Sequence, residues 1–340
     1  MNIVAAATSA VERMPLPDSF IRAGIALLVE RTSRKLQQDD PGKERTFVAD
    51  MANFPIALHT DDANAQHYEL PPSFFSLILG PRHKYSCCLY DNATTLTEAE
   101  DRALEETAVH AGLVDGQRIL ELGCGWGSLT LWMAERFPKS EILAVSNSHP
   151  QRRFIEAAAA QRDLHNVRVQ TADMNTFETD AKFDRVVSVE MFEHMANWPA
   201  LLAHVHAWLK PQGTLFLHVF SHRTTPYRFD RDDKADWIAR HFFTGGVMPS
   251  HGLIRELDIP FEVTADWRWN GTHYRRTAED WLRNYDANAV AIEGILRQVY
   301  GNAALLWARR WRLFFLATAE LFGARGGTEW GISHYVLRPR

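Results

Sequence analysis

Apolar and polar positions alternate with two different periods along this chain. Up to about residue 80 the spacing is helical. Phe20, Ile21, Ile25, Leu27 and Leu28 predict one amphipathic helix, and Pro55, Pro71 and Pro72 interrupt the stretch beyond it. A polar stretch at 91–95 precedes TLTEAEDRALEETAVHAGL. This reads as a helix with Thr97 as N-cap and Glu100 three positions on, the spacing of a capping box.

From Gln117 the rhythm changes. RILELGC, EILAVS, VRVQTAD, FDRVVSVE and TLFLHVF are short apolar runs, separated by helical stretches at 128–136, 151–162 and 199–209. Strands alternating with helices at this spacing predict an α/β fold with a parallel sheet covered on both faces. Past Phe220, HFFTGGVMPS reads as a loop and FEVTADWRW as a strand. Residues 277–323 read as helix rich in large apolar side chains, and GISHYVLRP as a closing strand. No disordered linker separates these parts, so the N-terminal helices and the late helical segment are expected to pack onto one sheet.

Composition narrows the class. Of 340 residues, 46% are hydrophobic and 23% charged, with a net charge of −5. A nucleic-acid partner is therefore not expected, since such proteins carry a basic surplus. Arg309, Arg310 and Arg312 alternate with Trp307, Trp311 and Phe314, as on a helix with snorkelling arginines. The start, MNIVAAATSAVERM, is too short and too acidic to read as a signal peptide, and no window is long and apolar enough for a membrane span. Three cysteines, two of them adjacent (Cys87, Cys88, Cys124), form no disulfide framework, so a reducing, cytoplasmic setting is expected. The 15 histidines include no zinc-type spacing, and no metal is expected. A homodimer is compatible with this composition.

The sharpest local feature is Glu121-Leu-Gly123-Cys-Gly125-Trp-Gly127 between a strand and a helix. Glycines there allow a sharp turn and close approach of a ligand. The spacing is neither that of dinucleotide folds nor that of an ATP-binding phosphate loop. Glu121 beside the loop suits a cationic ligand, and a ligand with an amino acid head, a ribose and a sulfonium fits. The alternative is a glycine turn in some other α/β fold.

This loop resembles the signature of the Rossmann-like methyltransferases. With HYELPPSFFSLILG, KYSCCLY, TLTEAED, SNSHPQ and MFEHM, the chain resembles the cyclopropane fatty acid synthase superfamily from about residue 67 to its end. VEMFEHM, FFTGGVMPS, WRLFFLATAELFG and GTEWGISHY are similar to the coclaurine-type N-methyltransferases within it. The resemblance implies a class I fold with a seven-stranded, mostly parallel sheet. It implies an N-terminal helical extension (1–110) covering the cofactor site, a core at 111–340, and an inserted helical cap at about 272–323. The implied cofactor is S-adenosylmethionine, leaving S-adenosylhomocysteine. Its implied contacts are Tyr85, Ser86, Glu121, Gly123, Gly125, Gly127, Ser146, Asn147, Gln151, Asp173, Met174 and Val189. Asp173 would hold the adenine amino group. Where many such enzymes carry an acid for the ribose, this chain has only Ser146, Asn147, Ser148 and Gln151, which hydrogen-bond without charge.

The superfamily performs two chemistries. Cyclopropane synthases hold a bicarbonate base with a cysteine, a glutamate, a histidine and a tyrosine. Cys87, Glu193 and His218 match the first three, but the C-terminal helix offers Phe314 and Phe315 in place of the tyrosine. Glu190 stands where those enzymes usually have glycine, and its charge disfavours an anion. Both departures point to N-methylation.

In VVSVEMFEHMANW, Glu190, Glu193 and His194 are expected to share one face of a helical turn. An ammonium has no lone pair and must lose a proton before it attacks. Two carboxylates would orient it, and His194 would accept the proton directly or through water. Otherwise the carboxylates would only stabilise a helix N-terminus, with His194 in the core. Cys87, His218, Phe220, Tyr274, Phe314 and Trp330 are expected to line the substrate pocket, as aromatic faces suit a cation. The expected reaction is methyl transfer to the nitrogen of a small aromatic or cyclic amine. Alkylation of an unsaturated fatty acyl chain is the alternative, and a catalytically silent cofactor-binding scaffold is a third.

Overall fold

A computed structural model of the chain describes residues 11–14, 16–37, 42–58, 70–233 and 236–340. The first ten residues, and positions 67–69 of the HYELPP stretch, lie outside the described residues.

The strands are β1 (Arg118–Leu122), β2 (Glu141–Ser146), β3 (Val167–Thr171), β4 (Phe183–Val189), β5 (Leu209–His222), β6 (Tyr227–Arg228), β7 (Val247–Met248), β8 (Phe261–Asn270) and β9 (Trp330–Pro339). Seven of them form one sheet in the order β3-β2-β1-β4-β5-β9-β8. Pairing is parallel from β3 through β5, while β9 runs antiparallel to both β5 and β8. The strand order reverses beside β1, and the crevice opened there at the carboxyl ends is where such sheets bind ligands.

The helices are α1 (Asp18–Leu36), α2 (Lys43–Met51), α3 (Pro72–Ser76), α4 (Leu96–Ala111), α5 (Ser128–Arg136), α6 (His149–Gln161), α7 (Trp198–Trp208), α8 (Trp237–His241), α9 (Leu253–Glu256), α10 (Thr272–Ala287), α11 (Ala289–Tyr300) and α12 (Ala304–Gly323). Alternation along the strands divides the core. Ile119, Ile142, Val187 and Phe216 pack with Leu104 and Ala108 of α4 and Trp132 of α5. Leu120, Leu122, Val186 and Leu215 face the other way, onto Leu201, Leu202 and Val205 of α7. A third cluster joins Phe74 and Phe75 of α3 to Trp281 and Tyr285 of α10 and to Trp311 and Phe315 of α12. In α10 the buried positions Tyr274, Thr277, Ala278, Trp281, Leu282 and Tyr285 recur every three or four residues, the stripe that seats a helix.

Two expectations are corrected. α4 starts two residues early: Thr95 is the N-cap, and its capping box is closed by Glu98. Glu100 is instead buried and accepts the backbone N–H groups of Arg82 and Lys84. The second concerns α1, where only Ile21 and Ile25 of the expected face turn inward, joined by Val29 and Leu36. Phe20 and Leu27 are 71% and 73% exposed. Bonds from Arg22 to Glu279 and Glu320, and from Arg312 to Asp18, fix that rotation.

Candidate active site

The glycine loop turns sharply off β1. Gly123, Gly125 and Gly127 all have positive φ (80°, 52° and 78°), and the N–H groups of Gly123 and Cys124 both donate to the Val145 carbonyl. A Cβ on Gly123 would lie 2.5 Å from Met191, whereas one on Gly125 would meet nothing within 4 Å. Gly125 thus borders an open cleft. Gly123, Gly125, Ser146, Asn147, Gln151, Asp173, Met174, Glu190 and His194 line it.

The ends of β2 and β3 supply its polar wall. Ser146 Oγ donates to Gln151 Oε1 at 2.6 Å. That bond turns the Gln151 Nε2 toward a site where it finds no acceptor among the described residues. A buried, unpaired donor costs about 1–3 kcal/mol, so a ligand with hydroxyl acceptors fits here. Asp173 and Met174, just beyond the end of β3, line the cleft as well.

Five expected cofactor contacts do not line this cleft. Glu121 is buried, accepts the Thr130 hydroxyl at 2.5 Å, and is pushed up to about 8 by burial. Gly127 packs against Ile155, and Val189, partly buried, packs against the cluster around Ile119 and Phe216. Tyr85 packs against Phe75 and Trp281, and Ser86 accepts from Lys84.

The acidic cluster does not sit on one helical face. Glu190 precedes the turn with φ of 47°, and a 3-10 turn then covers Phe192–His194. Left-handed φ in a residue other than glycine costs of order 1–3 kcal/mol and persists only where the surroundings enforce it. Here they do. Glu190 N–H donates to the His218 carbonyl at 2.8 Å. Its Oε1 accepts the Cys87 N–H at 2.8 Å and lies 3.2 Å from His218 Nε2, while Oε2 accepts the Tyr274 hydroxyl at 2.7 Å.

Glu193 is fully buried behind it. One oxygen accepts the Phe220 N–H at 2.5 Å and the other has no partner among the described residues. Burial, and then the charge of Glu190, push its carboxyl well up. Burial also raises Glu190, opposed by Lys84 and by its hydrogen bonds. Burial lowers His194 to about 4, so its ring is neutral at pH 7; it packs on Phe243 at 4.4 Å between ring centroids.

Of the expected substrate-lining residues, Cys87, His218, Phe220 and Tyr274 contact Glu190 or Glu193 directly. Phe314 stacks instead on Phe242, and Trp330 donates to the Tyr227 hydroxyl in the core. The hydroxyl missing from 314 and 315 is thus supplied to this carboxylate from α10, by Tyr274.

Other participants carry no sequence signal. Ala57 and Leu58, in the segment that follows α2, line the cleft. Ala57 is pinned by Asn175, which accepts its N–H at 3.0 Å and donates to its carbonyl at 3.1 Å. Leu58 also borders a neighbouring cavity of about 410 Å³ with Arg228, Phe229, Gly245 and Gly246. A Cβ on Gly246 would lie 3.1 Å from the Glu193 carbonyl, so this cavity adjoins the acidic cluster. Among the described residues no group of three or more His, Cys, Asp or Glu could hold a metal ion, and no helix is long and apolar enough to cross a membrane.

Comparison with known proteins agrees with this geometry. Residues 58–327 match the family model described as mycolic acid cyclopropane synthetase. A (S)-coclaurine N-methyltransferase of Thalictrum flavum subsp. glaucum is 33% identical over 96% of this chain and 93% of its own. The cyclopropane-fatty-acyl-phospholipid synthase of Escherichia coli (strain K12) is 29% identical over 78% of this chain and 66% of its own. A crystal structure of coclaurine N-methyltransferase bound to N-methylheliamine and SAH superposes with a TM-score of 0.93 at 32% identity, covering 97% of this chain and 98% of that one.

Proposed function

This chain belongs to the mycolic acid cyclopropane synthetase family and is an S-adenosylmethionine-dependent methyltransferase, and from that premise we propose that it methylates the nitrogen of a small aromatic or cyclic amine. The observation that carries the reading is Glu190: a carboxylate held by Cys87, Tyr274 and His218 at the inner end of the cofactor cleft. Such a group attracts an ammonium and repels a bicarbonate.

When bound, the cofactor supplies an electrophilic methyl group on a sulfonium. Gln151 and Ser146 are suited to its ribose and Asp173 to its adenine. The 1–110 extension closes the cleft over it through Ala57 and Leu58. Glu190 orients the ammonium. His194, neutral at pH 7, or Glu190 itself removes its proton. Glu193, buried and bonded to the Phe220 N–H, supports the floor of the site. Base catalysis of this kind contributes about 10² to 10⁴ in rate, and orientation can contribute ~7–11 kcal/mol. The three buried thiols suit a reducing compartment, the cytoplasm; a homodimer is compatible with this site.

The test is mass spectrometry after incubation with methyl-deuterated S-adenosylmethionine, offering (S)-coclaurine and unsaturated phospholipid vesicles in parallel. Three deuteriums on the amine nitrogen are expected. A CD2 unit in the lipid with an unlabelled amine overturns the reading.

A further inference from the structure

Four hydrogen-bonding contacts run in series from Glu190 toward the surface. Glu190 Oε1 is 3.2 Å from His218 Nε2. His218 Nδ1 is 2.8 Å from His334 Nε2, and His110 Nδ1 is 2.8 Å from a ring nitrogen of His334, its Nδ1. His110 Nε2 is 3.0 Å from Glu106 Oε1, whose side chain is 33% exposed. The fold builds the series: His218 and His334 are paired across β5 and β9, and Glu106 and His110 lie one turn apart on α4. Trp267 stacks on His110 at 3.7 Å, and Trp269 packs against His218 and His334, sheathing the rings in apolar surface. Glu190, Glu106 and Lys84 are the charged groups acting on the rings. Lys84 Nζ is tied to Ser86 and the Cys87 carbonyl.

A proton count gives the series its meaning. Four hydrogen bonds need four protons, and three neutral imidazoles carry three. With both end carboxylates ionised, one bond lacks a proton. The series is complete only when it carries one extra. Each ring uses both nitrogens, so it can accept a proton on one and donate from the other without moving.

We propose that Glu190, His218, His334, His110 and Glu106 form a proton exit from the active site to solvent. The inference rests on the amine N-methylation reading, which releases one proton per turnover. An ammonium entering the site loses its N–H proton, the freed lone pair bonds the methyl carbon, and the methyl–sulfur electron pair stays on sulfur. The products are a methylated ammonium, the neutral thioether and one proton. That proton, taken by Glu190 directly or from His194, passes to His218 Nε2. A proton then moves from His218 Nδ1 to His334, from His334 Nδ1 to His110, and from His110 Nε2 to Glu106, which releases it. The passage reverses the three tautomers, and ring rotation or the opposite sequence of hops resets them. His334 and His110 are positioning and relay residues here; neither touches substrate.

The test compares the whole wild-type protein with His110→Gln, which hydrogen-bonds but cannot relay, and with the surface variant Glu106→Gln. Methyl transfer to (S)-coclaurine is followed by rapid quench, and proton release by a pH indicator in weak buffer. In the wild type both should keep pace. In His110→Gln, release should lag methyl transfer, steady-state kcat should fall several-fold, and added imidazole should restore it. Simultaneous release with unchanged kcat overturns the proposal. So does a loss of kcat that accompanies a lower Tm and is not rescued. A second arm needs no turnover. In 15N-histidine NMR of the protein without amine, Glu106→Gln should shift the His110 and His334 ring nitrogens together. A His334 signal that does not move overturns the relay. Absence of any amine methylation, with coupled shifts intact, would count against the proposed reaction and not against the wire.

Discussion

Glu190 pays for its place in backbone strain and desolvation. Its left-handed φ of 47° and its withdrawal from water each cost stability, and the Cys87 N–H and the Tyr274 hydroxyl, which donate to it, offset them. Glu190→Gln should therefore lower kcat/KM for the amine by about 10²-fold, the lower end of what a positioned base contributes, while Tm stays level or rises. Steady-state kinetics with differential scanning calorimetry checks both halves. Glu121 gives a separate, structural prediction. Its pKa is near 8 in the fold against an ordinary value of 4.5. A raised pKa means that stability is greatest below the ordinary value and is lost as pH rises toward the folded one. The loss is at most about 1.4 kcal/mol per pH unit. In the cofactor-free protein, Glu121→Gln should flatten the fall in Tm between pH 5 and pH 8. An unchanged slope would mean that Glu121 does not hold its proton in the fold.

At the scale of elements, the cleft is made by segments far apart in sequence. The glycine loop is legible because its function requires a particular backbone: only glycine turns off β1 at φ of 80° with Met191 2.5 Å from where a Cβ would be. Gly123→Ala should therefore weaken S-adenosylmethionine binding by at least tenfold, read by isothermal titration calorimetry. The sheet is legible for a similar reason, as buried parallel strands are short apolar runs between helices. The contact of Ala57 with Asn175 is not, because 118 residues separate an alanine from an asparagine of ordinary surroundings. Asn175→Ala should raise the Kd for the cofactor several-fold with kcat little changed; equal loss in both would place Asn175 in the chemistry instead. The start of α4 and the inward face of α1 escape a sequence reading for one reason. Two threonines, Thr95 and Thr97, compete as N-cap in TTLT, each with a glutamate three positions on, and five apolar positions within nine residues do not define a rotation; tertiary partners decide both, the Arg82 and Lys84 N–H groups that take up Glu100 in one case and the ion pairs of Arg22 and Arg312 in the other.

At the scale of the molecule, one sheet carries two opposed demands. Its parallel half opens a crevice for the cofactor beside β1, and its antiparallel edge, β9 with β8, brings His334 and the tryptophans to the inner side of His218. The sequence singles out Glu190, Glu193 and His194 by their spacing alone. It does not show that Glu193 is a buried acid while Glu190 and His194 face the cleft, because that difference is set by Phe220, Cys87 and Tyr274 from three other elements. The most direct measurement is therefore single-turnover methyl transfer to (S)-coclaurine between pH 6 and pH 9, in wild type, Glu190→Gln and His194→Ala, with methyl-deuterated cofactor and rapid quench. The expected result is deuteriomethylation of nitrogen in the wild type, with the rate falling as pH drops and Glu190 becomes protonated. Both variants should be slowed by about 10²-fold or more. Nitrogen methylation at the wild-type rate in both variants would contradict it, and would move the site of chemistry away from the carboxylate at the end of β4.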